Sequence, residues 1–139
     1  MEFTEEQLIA GIKKGAQKSK VSAYKSLLIR HFKSPAAIKE MHKKLTTEPA
    51  SFVYDSIKKL DQLHGPRLDW KSISLERLQK CKSKDERIKA AGADFAYTEN
   101  DFQIFIDVIK NDPEHPVRWR ALSTYANTIK TQMIRFTLI

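Results

Sequence analysis

Apolar residues along this 139-residue chain recur at spacings of three and four, the period of helices that turn one face inward. Thr4-Glu5-Glu6-Gln7 fits a capping box, with Phe3 and Leu8 placed as its hydrophobic staple. A first helix is expected to about Ala16, burying Leu8, Ile9 and Ile12. After a polar break at 17–20, Val21, Tyr24, Leu27, Leu28 and Phe32 mark a second helix, whose end carries Arg30 and His31, where capping or packing accounts for the histidine. Ser34 then caps a third, with Pro35 at the first helical position, where its missing N–H costs nothing, and with Ile38, Met41 and Leu45 on one face. Thr47-Glu48-Pro49 opens a fourth over Phe52, Val53, Ile57, Leu60 and Leu63, which Gly65-Pro66 ends.

The second half is punctuated in the same way. Ser74 is expected to cap a short helix stapled by Ile73 and Leu78, and Ser83-Lys84-Asp85-Glu86 a second one that Gly92 stops. Thr98 starts another, in which Phe102, Phe105, Ile106 and Ile109 share a face, and Asn111-Asp112-Pro113 closes it. The last helix runs from Pro116 to about Phe136, with Leu122, Tyr125, Ile129, Met133 and Phe136 along one side. Asn-Gly and Asp-Gly pairs are absent, and no alternating stretch reaches strand length. The expected fold is therefore all-α: a single-domain, irregular (orthogonal) bundle of seven to eight helices over 1–139, with an internal junction near 65–72 as the one candidate division.

No apolar run approaches the roughly 18 residues of a membrane span, and the acidic start is unlike a secretory signal. With a single cysteine, Cys81, the simplest expectation is an intracellular protein in cytoplasm, nucleoid or nucleus. One cysteine and four scattered histidines do not make a zinc site, and no phosphate-binding glycine loop is present, so no cofactor or metal is expected. Asp112-Pro113-Glu114-His115, near Asp107, is the one cluster with acid–base chemistry, and the same residues serve as a helix-breaking and capping turn. No catalytic residue is assigned. Trp70 and Trp119 have the faces to stack on bases, although large aromatics in small helical proteins usually pack inward.

Charge changes the picture more than any motif. The formal net charge is +8, and between Gln7 and Lys39 eight basic residues occur without one acid: Lys13, Lys14, Lys18, Lys20, Lys25, Arg30, Lys33 and Lys39. Ordinary helix surfaces mix both signs, so this run marks a positive region, extended by Lys43 and Lys44. A second basic segment, Arg77, Lys80, Lys82, Lys84, Arg87 and Lys89, is diluted by Glu76, Asp85 and Glu86. The last helix carries a stripe, Arg120, Thr124, Asn127, Thr131 and Arg135, of side chains that hydrogen-bond phosphate and sugar oxygens. Acidic residues collect between Glu99 and Glu114.

Lysine outnumbers arginine eighteen to seven, which favours backbone contact over base reading. The expectation is a non-enzymatic accessory protein or small basic subunit of a nucleoprotein complex, binding DNA or RNA through phosphates with little sequence specificity. The alternative is a helical assembly module whose partner is an acidic protein, docked in part by the apolar residues 133–139.

Overall fold

Most helix starts in this protein are set by a side chain that accepts from an otherwise unpaired amide. The computed structural model describes residues 4–14, 17–31 and 33–138, with side chains for 4–12, 17–31 and 33–135. Thr4 Oγ1 accepts from the Gln7 amide at 3.2 Å, and Gln7 Oε1 from the Thr4 amide at 2.9 Å, which starts α1 (Glu5–Lys14). The expected partners Phe3 and Phe32 lie outside the described residues. Helix α2 (Gln17–Arg30) includes the 17–20 stretch that the pattern assigns to a break. Polar residues without Gly or Pro do not stop a helix when they face outward, as Gln17, Lys18 and Ser19 do.

Ser34 Oγ accepts from the Ala37 amide and Pro35 opens α3 (Pro35–Thr47), as its sequence requires. The Ser34 hydroxyl donates to Glu5 at 2.6 Å, while the other Glu5 oxygen lies 4.0 Å from His31 Nδ1, so one carboxylate ties the α2–α3 turn to the start of α1. Buried Glu48 accepts from the Ala50 amide just ahead of α4 (Ser51–Leu63) and from Lys20 Nζ at 3.1 Å. Helix α1 packs on α2 and α3, and α2 packs on α4. Tyr24, Leu27, Met41, Leu45, Val53 and Ile57 are buried.

Asp61 closes this part of the chain. Only 1% exposed, it accepts from the amides of Arg67 (3.1 Å) and Leu68 (3.0 Å) and from Trp70 Nε1 at 2.8 Å. A buried carboxylate needs several donors, and these draw the 64–70 segment back under α4, with Gly65 supplying the positive φ of 88°. Trp70 also sets its ring edge-on to Tyr54, 5.7 Å between centroids.

Helix α5 (Trp70–Lys80) begins at Trp70, because Asp69 Oδ1 accepts from the Ser72 amide; Ser74, the expected cap, is buried inside it. Ser83 caps α6 (Lys84–Ala91), but the capping box is only half formed, since Glu86 turns inward to Arg77. Asp101 accepts from the Thr98 amide at 2.8 Å to start α7 (Glu99–Asn111), and α8 (His115–Leu138) follows with 24 residues. Helices α6 and α7 both pack on α8, around Leu78, Ala91, Tyr97, Phe105, Val117 and Ala121.

The described residues form eight helices and no strand, and the last helix is the longest: an all-α bundle. Its contacts divide the chain into two compact units, Met1–Ile73 and Ser74–Ile139, with the boundary inside α5. In α8 the inward face is Val117, Ala121 and Tyr125, whereas Leu122 and Met133, read along one side with Tyr125, are 42% and 64% exposed. A stripe of apolar residues identifies a face of a helix without fixing what covers it.

Replacing Asp61 with Ala strands two amides and the Trp70 indole N–H, and should lower the unfolding free energy by about 3 kcal/mol. Urea unfolding followed by Trp70 fluorescence in a Trp119→Phe background measures this; an unchanged midpoint would show that the 64–70 turn does not need Asp61.

Candidate functional site

Two clefts, one in each unit, are each lined by two of the predicted basic residues. In the second unit, Arg120, Thr124, Asn127, Thr131 and Arg135 all line one cleft of about 530 Å³, facing Gly92 to Tyr97. The 15-residue separation of its two arginines corresponds to about 22 Å along a helix at 1.5 Å per residue. The opposite wall is held by hydrogen bonds: Thr124 Oγ1 donates to the Ala91 carbonyl at 2.6 Å, Tyr97 Oη to the Ala93 carbonyl at 2.6 Å, and Gln132 Nε2 to the Tyr97 carbonyl at 3.5 Å.

This accounting alters the chemistry read from the stripe. The hydroxyl protons of Thr124 and Thr131 are committed to carbonyls, Thr131 to that of Asn127 at 2.9 Å, so both threonines act in the cleft as acceptors. The donors left in the lining are the guanidinium groups of Arg120 and Arg135 and the Asn127 amide, none with a partner among the described residues. Arg120 lies over Gly92, where an added Cβ would come within 2.9 Å of its Nη2; the glycine is the seat of that side chain. Asp94 on the facing wall is the one carboxylate in the lining. Half-buried Phe95 presents an aromatic ring there, edge-on to Tyr97 at 6.2 Å.

In the first unit, Lys18, Ser19, Ser22, Ser26 and Arg30 of α2 line a cleft of about 600 Å³ shared with Gln7, Leu8 and Gly11 of α1. Gly11 lets the helices approach, since a Cβ there would sit 3.4 Å from Ala23 Cβ. Lysine and arginine therefore stand at the two ends of a row of hydroxyls, as arginines do in the second unit. The three serines were missed in the sequence, although the four-residue spacing of Lys18, Ser22, Ser26 and Arg30 is visible there.

The other predicted residues are distributed as follows. Lys25, Lys39 and Lys43 are exposed and Lys44 half-buried, and no carboxylate pairs with these four among the described residues; Lys33 is exposed. None of them lines the α1–α2 cleft. Lys20 is engaged with Glu48. The side chains of Lys13 and Lys14 lie outside the described residues.

The second basic segment does not form a positive surface as a whole. Arg77 is 1% exposed and pairs with buried Glu86 at 2.7 Å, which also accepts from Lys89 at 3.4 Å. Arg87 is bound to Asp112 at 3.0 Å and to the carbonyls of Cys81 and Lys82. Asp112 in turn accepts from the Glu114 amide at 2.9 Å, and its carbonyl accepts from Arg118 at 2.6 Å. The Asp112 to His115 segment is thus a turn locked by arginines. Cys81 is buried, so its flanking lysines do not meet an accessible thiol. Among the described residues, no group of His, Cys, Asp and Glu side chains is placed to hold a metal ion, and no helix is long and apolar enough to cross a membrane.

No protein-family model, curated protein or solved structure matches this chain.

Gly92→Ala should push the Arg120 guanidinium off its seat while changing stability by less than about 1 kcal/mol, because the end of a long side chain can swing away. The Arg120 Nε resonance should shift; an unmoved resonance would contradict the seat. Thr124→Val removes the bond to Ala91 and should cost about 1 kcal/mol, with faster amide exchange through 92–97. Unchanged exchange there would mean that the wall is held by other contacts.

Proposed function

We propose that this protein is a non-enzymatic nucleic-acid-binding accessory protein or small basic subunit of a nucleoprotein complex, contacting phosphates in an extended strand with little sequence specificity. The observation that carries this reading is that all five residues of the α8 stripe line a single elongated cleft ended by two arginines without carboxylate partners among the described residues. Arginines whose backbone positions lie about 22 Å apart along the helix suit several successive phosphates, and an Asn amide with threonine acceptors between them suits sugar and base edges. Phe95 offers a stacking surface on the facing wall. The α1–α2 cleft, with Lys18 and Arg30 at its ends and serines between, is a second site of the same chemistry.

Exposed Lys25, Lys39 and Lys43 supply a diffuse positive field that raises the encounter rate without choosing a sequence. The net charge of +8 makes that field strong at low salt. Such a protein is expected to work inside the cell, where its polyanion is.

Fluorescence anisotropy with labelled single- and double-stranded DNA and RNA tests the proposal. Binding should weaken at least tenfold between about 50 and 200 mM salt, and Arg120→Ala with Arg135→Ala should reduce the slope of log affinity against log salt by about two. No binding at the lower salt refutes the reading. A polyglutamate peptide that displaced the oligonucleotide at equal charge concentration would reassign the clefts to an acidic protein partner.

A further inference from the structure

We infer that the outward apolar face of α8 is a self-association surface, on which a second copy of this chain docks its own α8 in antiparallel orientation. Trp119, Leu122, Ala126, Ile129 and Met133 follow one another by three, four, three and four residues, and Phe136 holds the next position of the same register in the sequence. That is the seam of a two-stranded coiled coil, with apolar residues repeating every three and a half positions. Unlike an ordinary amphipathic stripe, it is not the side turned to the core: Trp119 is 63% exposed, and the inward residues Val117 and Ala121 lie on the opposite face from it. Leu122, Ala126, Ile129 and Met133 together line a shallow, almost wholly apolar depression along the helix.

Two properties of the seam select a second copy over an unrelated partner. The first is self-complementarity under two-fold rotation. In the antiparallel register Leu122 meets the partner's Met133, and Ala126 meets the partner's Ile129. The small residue then always faces a large one, whereas a parallel pairing would stack Trp119 on its own copy and leave a gap at Ala126. A two-fold interface requires this self-matching.

The second property is charge. On a chain of net charge +8, the seam and its flanking positions Arg118, Ser123, Tyr125, Lys130 and Gln132 contain two cations and no acid. In the antiparallel register Lys130 lies beside the partner's Ser123 and Tyr125 beside the partner's Gln132, so no like charges oppose each other. An acidic partner would find almost nothing to pair with. Apolar exposure of this extent amounts to about 500 Å² per copy, toward the upper end of the largest patch a monomer leaves, and about 1,000 Å² for the pair, the lower bound of specific association. Because α8 is already a helix packed in its unit, pairing carries no cost of helix nucleation.

The seam lies on the side of α8 away from Arg120, Thr124 and Asn127, so a dimer formed through it leaves that cleft open and carries two of them.

Sedimentation velocity of the nuclease-treated full chain, from about 1 to 200 μM and in both 0.1 and 0.5 M salt, should show a monomer–dimer equilibrium that the higher salt does not weaken. The double variant Leu122→Glu, Met133→Glu alters exposed positions and should keep the helical circular dichroism while weakening association at least a hundredfold. Should that variant lose its helix content, Ala126→Lys gives the same readout through a single exposed site. A monomer at every concentration, a dimer that dissolves in 0.5 M salt, or a dimer that persists in folded seam variants overturns the inference.

Discussion

A carboxylate taken out of water must be surrounded by donors, and each unit of this protein is arranged around that requirement. In the first, Asp61 gathers two backbone amides and an indole N–H, and the 64–70 segment has no other way to supply them than by folding back beneath α4. In the second, Glu86 and Asp112 engage Arg77 and Arg87. The second pair joins α6 to the end of α7, and the Asp112 carbonyl passes the connection to Arg118 near the start of α8. The angle at which α8 leaves that turn decides which of its faces meets the 92–97 wall.

The same bookkeeping separates structural from available cations. Arg77, Arg87, Arg118 and Lys20 have committed partners, whereas Arg120 and Arg135 stand at the two ends of a groove whose threonine protons are already spent. What remains is a surface rich in cationic donors and neutral acceptors. A duplex or single strand offers the converse: acceptors at every phosphate and few cations.

Much of this was legible in the sequence, and the failures have physical causes. Caps at Thr4, Ser34, Ser83 and Thr98 were readable because a short polar side chain followed by an apolar period has few other uses. The α8 stripe was readable because its spacing holds for four turns. Burial of Arg77 and Arg87 was not, since their partner carboxylates lie nine and 25 residues away and no local pattern encodes such a distance. The start of α5 was missed because Asp69 looked like part of a linker, although it caps the helix. Leu122 and Met133 were read along one side with Tyr125, which packs on the core while they are exposed, because hydrophobicity reports that a face wants covering and is silent about whether the same chain covers it.

Cys81 illustrates how an unremarkable packed residue acquires a use. Its side chain is 2% exposed, and its carbonyl is held by Arg87, in the network that organises the second unit. A thiol reagent in water reaches the sulfur only when that part of the chain opens. With no other cysteine in the sequence, the modification rate is a single-site clock for local opening, and bound nucleotide or a paired helix that slows opening would lengthen its period.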